Sequence, residues 1–71
     1  MDLIKIGKYI AFKRKEQGLT QKQLAEKLNM SDKSVSKWER GICLPDVSVY
    51  LELCKILDIS INEFLAGEAV S

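Results

Sequence analysis

The sequence contains no histidine, and its two cysteines, Cys43 and Cys54, do not form a CxxC pair. Two cysteines are too few for a disulfide framework, and without histidine they do not make a set of metal ligands. We therefore predict no metal site. Cys54 is expected to be a small core residue and Cys43 a loop residue.

The residue combinations that support catalysis are also missing. The sequence offers no nucleophile beside a base, no pair of carboxylates suited to a pocket and no glycine-rich phosphate loop. We therefore expect no catalytic residue, no cofactor and no small-molecule substrate, which argues against an enzyme.

The start of the chain has no continuous apolar run. The opening MDLIKIGKYIAF is interrupted by Asp2, Lys5 and Lys8, unlike a signal peptide or a membrane span. We expect a cytoplasmic protein without a membrane partner. One proline, four glycines and 46% hydrophobic residues among 71 indicate one small globular domain, and whether another domain follows Ser71 is left open.

The stretch TQKQLAEKLNMSDKSVSKWER, residues 20–40, predicts two short helices joined by a tight turn. Thr20 and Gln23 have the spacing of a capping box, in which each side chain bonds the backbone N–H of the other residue. Apolar residues then recur at helical spacing as far as Leu28, which gives this helix one buried face. Asn29 tolerates the left-handed backbone that a tight turn needs.

The second helix of this pair, capped by Ser31, has only two apolar residues, Val35 and Trp38. Because the rest of its surface is polar, we expect these two to anchor it while its hydrogen-bonding face is presented outward. Lys33 and Lys37 lie one helical turn apart on that face. Side chains of these types can bond base edges in the major groove of DNA.

This layout resembles the Cro and phage-repressor type (XRE-like) of helix-turn-helix regulator. Small Ala25 is placed where the two helices would cross, and the apolar positions of the motif are Leu24, Leu28, Met30, Val35 and Trp38. One departure is Asn29, where the family often has glycine. The resemblance spans roughly Ile6 to Leu65 and implies that residues 6–66 form an all-α, compact five-helix, lambda-repressor-like DNA-binding domain.

The resemblance also implies the site. In this family the positions of Gln21, Asp32, Lys33 and Lys37 contact bases, and those of Gln21, Ser36 and Arg40 contact phosphates. The candidate DNA-binding set is Gln21, Ser31, Asp32, Lys33, Ser34, Ser36, Lys37 and Arg40. The alternative is that these lysines and Arg40 only keep the protein soluble, and that Asp32 only complements the helix dipole.

The family also joins the residues that match Arg14 and Glu39 in an internal ion pair, tying the first helix to the end of the recognition helix. The alternative is two independent surface charges. We expect the pair to form.

Three further helices are predicted around the pair. The first runs from about Leu3 to Gln17 and leaves Phe12 exposed. The fourth is capped by Asp46, with a buried face formed by Val47, Tyr50, Leu53, Cys54 and Leu57. The fifth begins with a second capping box at Ser60 and Glu63 and continues to about Ala66. Outside these faces, Ile56 and Ile61 are candidate contacts of a homodimer.

Charge is unevenly distributed, although the net charge is only +1. Residues 1–41 contain ten Lys or Arg and five Asp or Glu, a net +5, whereas residues 42–71 contain one Lys and five acids, a net −4. The basic half contains the paired helices and would attract phosphates. A solvated surface of mixed charge would give the same pattern.

We therefore predict a sequence-specific regulator of transcription, a repressor that binds the major groove of double-stranded DNA as a homodimer on a palindromic operator. The alternative is a protein-interaction module such as an antitoxin, which the apolar residues outside the predicted core would serve equally well.

Overall fold

The computed structural model describes residues 1–69, which form five α-helices and one 3-10 segment. In chain order these are α1 (Leu3–Glu16), α2 (Gln21–Lys27), α3 (Asp32–Glu39), the 3-10 segment (Val47–Val49), α4 (Tyr50–Leu57) and α5 (Ile61–Ala66). No strand occurs among residues 1–69, and the predicted all-α fold of five helices is confirmed. α3 packs against α1 and α2, and α5 packs against α1 and α4.

Local hydrogen bonds start α2 and α5 where the sequence predicts. The Thr20 hydroxyl accepts from Gln23 N at 3.0 Å, and Gln23 Oε1 accepts from Thr20 N at 2.9 Å. Ser60 and Glu63 make the same reciprocal pair at 3.1 and 2.9 Å. Ser31 does precede α3, but its side chain makes no capping hydrogen bond. The prediction that Ser31 caps α3 through its side chain was therefore wrong.

The turn between α2 and α3 contains the left-handed residue expected from the sequence. Asn29 has a φ of 57°, and the next backbone N–H, of Met30, donates to Ala25 O at 2.8 Å. Met30 is partly buried against the core, while Ala25 is buried beneath the turn. The turn is thus held against the core by Met30 and Ala25.

The start of the fourth helix differs from the prediction. Residues Val47–Val49 form a 3-10 segment, in which Asp46 accepts from Ser48 N at 3.0 Å, and the α-helix begins only at Tyr50. A 3-10 helix has three residues per turn and an α-helix has 3.6. The side chains of Val47–Val49 therefore point in other directions than they would if the α-helix began at Val47. Val47, which was expected in the buried face, is therefore 73% exposed.

One hydrophobic core is built from all five helices. Its fully buried side chains are contributed by α1, α2, α3, α4 and α5, and the largest are Ile6, Ile10, Leu24, Val35, Leu53, Leu57 and Phe64. The rings of Tyr50 and Phe64 lie 4.9 Å apart between α4 and α5. One face of α3 therefore packs on the core through Val35 and Trp38, and the opposite face does not pack on it.

α1 approaches the carboxyl end of α3 closely at Gly7. A β-carbon at this residue would lie 2.7 Å from the carbonyl oxygen of Glu39 and still closer to that of Trp38. Only glycine allows these two backbones to approach this closely. Gly7 thus sets the distance between α1 and the end of α3.

We expect Gly7→Ala to destabilise the fold by about 1–3 kcal/mol, because the new methyl group would collide with backbone carbonyls that cannot move independently of α3. At an exposed helical position the same change would instead stabilise by about 1 kcal/mol. Chemical denaturation measures the difference. Lys8→Ala, on the exposed side of α1, is the control and should stay close to wild type. An increase in stability for Gly7→Ala would show that α1 and α3 do not meet in this way.

Candidate nucleic-acid interface

α3 is anchored on one side and exposed on the other. Val35 and Trp38 are buried in the core beneath it. Of the candidate site residues on and beside α3, two are partly buried, Ser34 and Ser36, and the others are exposed, namely Ser31, Asp32, Lys33, Lys37 and Arg40. The chain therefore presents a continuous polar surface along a helix of eight residues, which we call the α3 face. It comprises these seven residues.

At the end of the α3 face, Ser36 and Arg40 are joined. Arg40 Nε donates to Ser36 Oγ at 3.1 Å and to Ser36 O at 3.3 Å, so the arginine side chain folds back along the helix. A guanidinium has five N–H donors, and Nε supplies one of them. The two Nη groups are left for another acceptor.

Gln21, the first residue of α2, lies beside the carboxyl end of α3. Its side chain is partly buried, and its Nε2 donates to Glu39 Oε1 at 2.9 Å. Both residues are candidates in the sequence, but this bond between them was not predicted. They are 18 residues apart on two helices, so no spacing in the sequence signals this bond.

Arg14 and Glu39 lie in contact, as the resemblance implies. Arg14 Nε donates to Glu39 Oε2 at 2.6 Å and Nη2 donates to Glu39 Oε1 at 3.0 Å, while the side chains are only 11% and 7% exposed. Arg14 Nη1 also donates to Leu19 O at 2.9 Å, just before α2. The hydrogen bonds with Glu39 raise the pKa of Arg14 despite its burial. One guanidinium thus links α1, the start of α2 and the end of α3.

The two isoleucines expected at a dimer contact differ in exposure. Ile61 is 36% exposed and borders a shallow groove between α4 and α5, together with Leu51, Cys54 and Ile59. Ile56 is partly buried and packs against the core, so less of its surface is available to a partner. Leu51, at 74% exposure, presents more apolar surface than either.

The described part of the chain lacks two features. None of its helices combines the length and the apolar character that a membrane span requires. Nor does it bring together three or more His, Cys, Asp or Glu side chains in a group that could hold a metal ion.

Comparison with known proteins identifies the family. A helix-turn-helix family model matches residues 10–64, which is most of the chain. The chain belongs to the Cro and phage-repressor type of helix-turn-helix transcriptional regulator. In this chain α2 and α3 are the two helices of the helix-turn-helix motif.

Similar proteins agree with this assignment. The transcriptional regulator ImmR of Bacillus subtilis is 35% identical over 66 residues, covering 93% of this chain and 52% of ImmR. The regulator DicA of Escherichia coli is 40% identical over 63 residues, covering 89% of this chain and 47% of DicA. This chain thus spans about half the length of these relatives.

The fold is also that of a solved regulator. The clp gene regulator ClgR from Corynebacterium glutamicum matches 94% of this chain, and 71% of the ClgR chain is covered, with a TM-score of 0.81 at 24% identity. At this identity the likeness concerns the fold, which it shares over almost the whole chain.

Removal of one partner from the Arg14–Glu39 pair should be costly, because it leaves the other charge buried. We expect Arg14→Ala and Glu39→Ala each to lower the free energy of unfolding by about 3 kcal/mol. The double variant should lose less than the two losses added together, with a coupling above about 1 kcal/mol.

Thermal or chemical denaturation of the three variants gives this coupling. The matched control is the more exposed pair of Lys13 and Glu16, which is confined to α1 and should show no measurable coupling in the same experiment. Additive losses for Arg14 and Glu39 would mean that the two side chains do not stabilise each other.

Proposed function

We propose that this protein binds duplex DNA sequence-specifically through the α3 face and Gln21, and represses transcription as a homodimer on a palindromic operator. The observation that supports this most is the construction of α3. Two buried anchors, Val35 and Trp38, hold the helix, while its outer side carries only polar and charged residues. A helix presented in this way fits the major groove, which is about 12 Å wide.

Different residues of the α3 face would have different tasks. Lys33 and Lys37, one turn apart and exposed, suit hydrogen bonds to guanine, and Asp32 suits an acceptor for cytosine. Ser31 and Ser34 are short hydroxyl residues near the start of α3, from which they would bond base edges or the backbone of the DNA.

Phosphate contacts would come from the ends of the helices. Arg40 keeps its Nη groups for a phosphate while its Nε is held by Ser36, whose own hydroxyl hydrogen remains available. The backbone N–H groups at the start of α2 favour a second phosphate, and the Gln21 side chain beside them would bond either that phosphate or a base edge.

The charge distribution supports the same orientation on DNA. The net +5 of residues 1–41 includes α3 and Gln21, and the net −4 of residues 42–71 includes α4 and α5. Phosphates would attract the first part and repel the second. The acidic helices would then face away from the duplex and remain available to a second copy.

Dimerisation would use the groove between α4 and α5. Leu51 and Ile61 are exposed apolar residues at this groove, and its rim carries charges of both signs, Lys55 and Asp58. A surface with both signs can complement a rotated copy of itself. A dimer bound across a promoter would exclude other proteins from it, which is the mechanism of repression that we propose.

We expect the wild-type protein to select a preferred duplex from a random library and to shift it discretely in a gel. Lys37→Ala should cost about 1–3 kcal/mol on that duplex and relax discrimination at one or two base pairs. Arg40→Ala should instead weaken preferred and scrambled duplexes alike and reduce the salt dependence by about one ion. Binding curves at several salt concentrations measure both effects.

The control for this experiment is Lys27→Ala, which removes the same charge at the end of α2, outside the proposed contacts. It should weaken binding least of the three. Lys37→Ala could leave the ratio of the affinities for the preferred and scrambled duplexes unchanged while Arg40→Ala reduces that ratio to one. In that case the recognition surface is elsewhere. Absence of any specific duplex binding, together with a stoichiometric protein partner, would favour an interaction module.

A homodimer would place two recognition helices about 34–36 Å apart on the operator, or at a multiple of that repeat. We expect Leu51→Ser and Ile61→Ser to shift sedimentation at operator-binding concentrations from dimer to monomer. Phe12→Ser is the control, since Phe12 is also exposed but lies on α1. Ile56 is unsuitable for this test because it also packs in the core. A monomeric wild type that protects a single half-site would rule out the dimer.

A further inference from the structure

We propose that Glu39 is a positioning residue for DNA recognition, which orients the Gln21 side-chain amide before DNA arrives. This inference rests on the proposed function and adds to it a residue that does not itself touch DNA. It assigns a second task to the internal ion pair, whose other task is to join α1 to α3.

The geometry of the carboxylate is the first support. Glu39 accepts three hydrogen bonds, one at Oε2 from Arg14 Nε at 2.6 Å and two at Oε1, from Arg14 Nη2 at 3.0 Å and from Gln21 Nε2 at 2.9 Å. The Glu39 side chain is only 7% exposed and that of Arg14 11%, and Gln21 is partly buried. The carboxylate is thus shielded from solvent and is bonded by the Arg14 guanidinium and the Gln21 amide.

The chemistry of the two groups fixes the direction of the amide. A glutamine side chain has one end that accepts and one end that donates, and the two ends exchange when the amide rotates by half a turn. An ionised carboxylate can only accept, so the NH2 end must face Glu39. One N–H is then used internally, and the second N–H and Oε1 are left for DNA.

This fixed order matters for recognition. A glutamine bonds adenine with both ends at once, accepting from N6 and donating to N7, whereas a phosphate oxygen takes only the N–H. An amide held in one orientation presents its N–H donor and its Oε1 acceptor to the DNA at fixed, non-interchangeable positions. It also loses less conformational freedom on binding than a side chain that rotates freely.

The backbone beneath Gln21 is held by the same residues. Arg14 Nη1 donates to Leu19 O at 2.9 Å, and Leu19 N donates to Arg14 O at 3.1 Å, two residues before Gln21. The capping box at the start of α2 is completed by Thr20 and Gln23, so the Gln21 side chain is not needed for it. Both the position of Gln21 and the direction of its amide are therefore set by the Arg14–Glu39 pair.

The experiment compares the effect of Gln21→Ala on DNA affinity in three backgrounds. The first is wild type. The second, Arg14→Leu with Glu39→Leu, removes the ion pair and the acceptor at residue 39 but leaves the net charge unchanged. The third, Arg14→Leu with Glu39→Gln, removes the ion pair but keeps a carbonyl acceptor. Affinities are measured on the preferred duplex at a temperature where circular dichroism shows every variant folded.

We expect Gln21→Ala to weaken binding about tenfold in the wild type, by the loss of a hydrogen bond to DNA. In the background with Glu39→Leu, the loss should be less than about twofold, because the unsupported amide no longer contributes. The background with Glu39→Gln should show a loss nearer to the wild-type value. Equal losses in all three backgrounds would overturn the inference while leaving the proposed DNA binding intact.

A second measurement needs no substitution in the ion pair. In the wild-type protein, nuclear Overhauser contacts between the Gln21 Nε2 protons and the Glu39 side chain should be present in the free protein and persist in the complex with DNA. Their absence from the complex would show that Gln21 leaves Glu39 to bind, and would overturn the inference. A wild type that binds no duplex specifically would overturn the proposed function, and this inference with it.

Discussion

The position of α3 depends on how its carboxyl end is held against α1. A helix with a polar outer face has little apolar surface with which to fix itself, and α3 has only two buried anchors. Its end is held by two further features. One is the carboxylate of Glu39 beneath the Arg14 guanidinium, and the other is the close approach of the backbone at Gly7. Without them α3 could pivot about Val35 and Trp38, and its outer residues would lose a defined position.

An ion pair at this place satisfies two opposing demands. The end of α3 must be fixed firmly, yet the outer face must keep its positive charge for phosphates. A buried pair contributes no net charge, so the lysines and arginine of the α3 face set the local potential. Burying the pair costs desolvation, which the bidentate geometry and the additional bonds from Gln21 and to Leu19 offset.

Local features of the fold were predictable because they depend on residues close in sequence. The two capping boxes each join residues three apart, and the left-handed turn at Asn29 depends on one residue and its neighbours. The helical spacing of apolar residues correctly placed the buried faces of α2 and α3. The failures were also local. At Val47 a 3-10 turn replaced the expected α-helical one, and the Ser31 side chain does not make the bond for which its position is suited.

The sequence by itself determined the number of helices, the turn between α2 and α3 and the polar character of the α3 face, because short-range hydrogen bonds and helical periodicity decide them. Only the tertiary structure decided that Gly7 lies against the carbonyl groups of Trp38 and Glu39, and that Gln21 bonds Glu39. These contacts join residues on different helices, so they depend on crossing angles and helix separations. Those quantities are set by the packing of the whole core, and no spacing in the sequence encodes them.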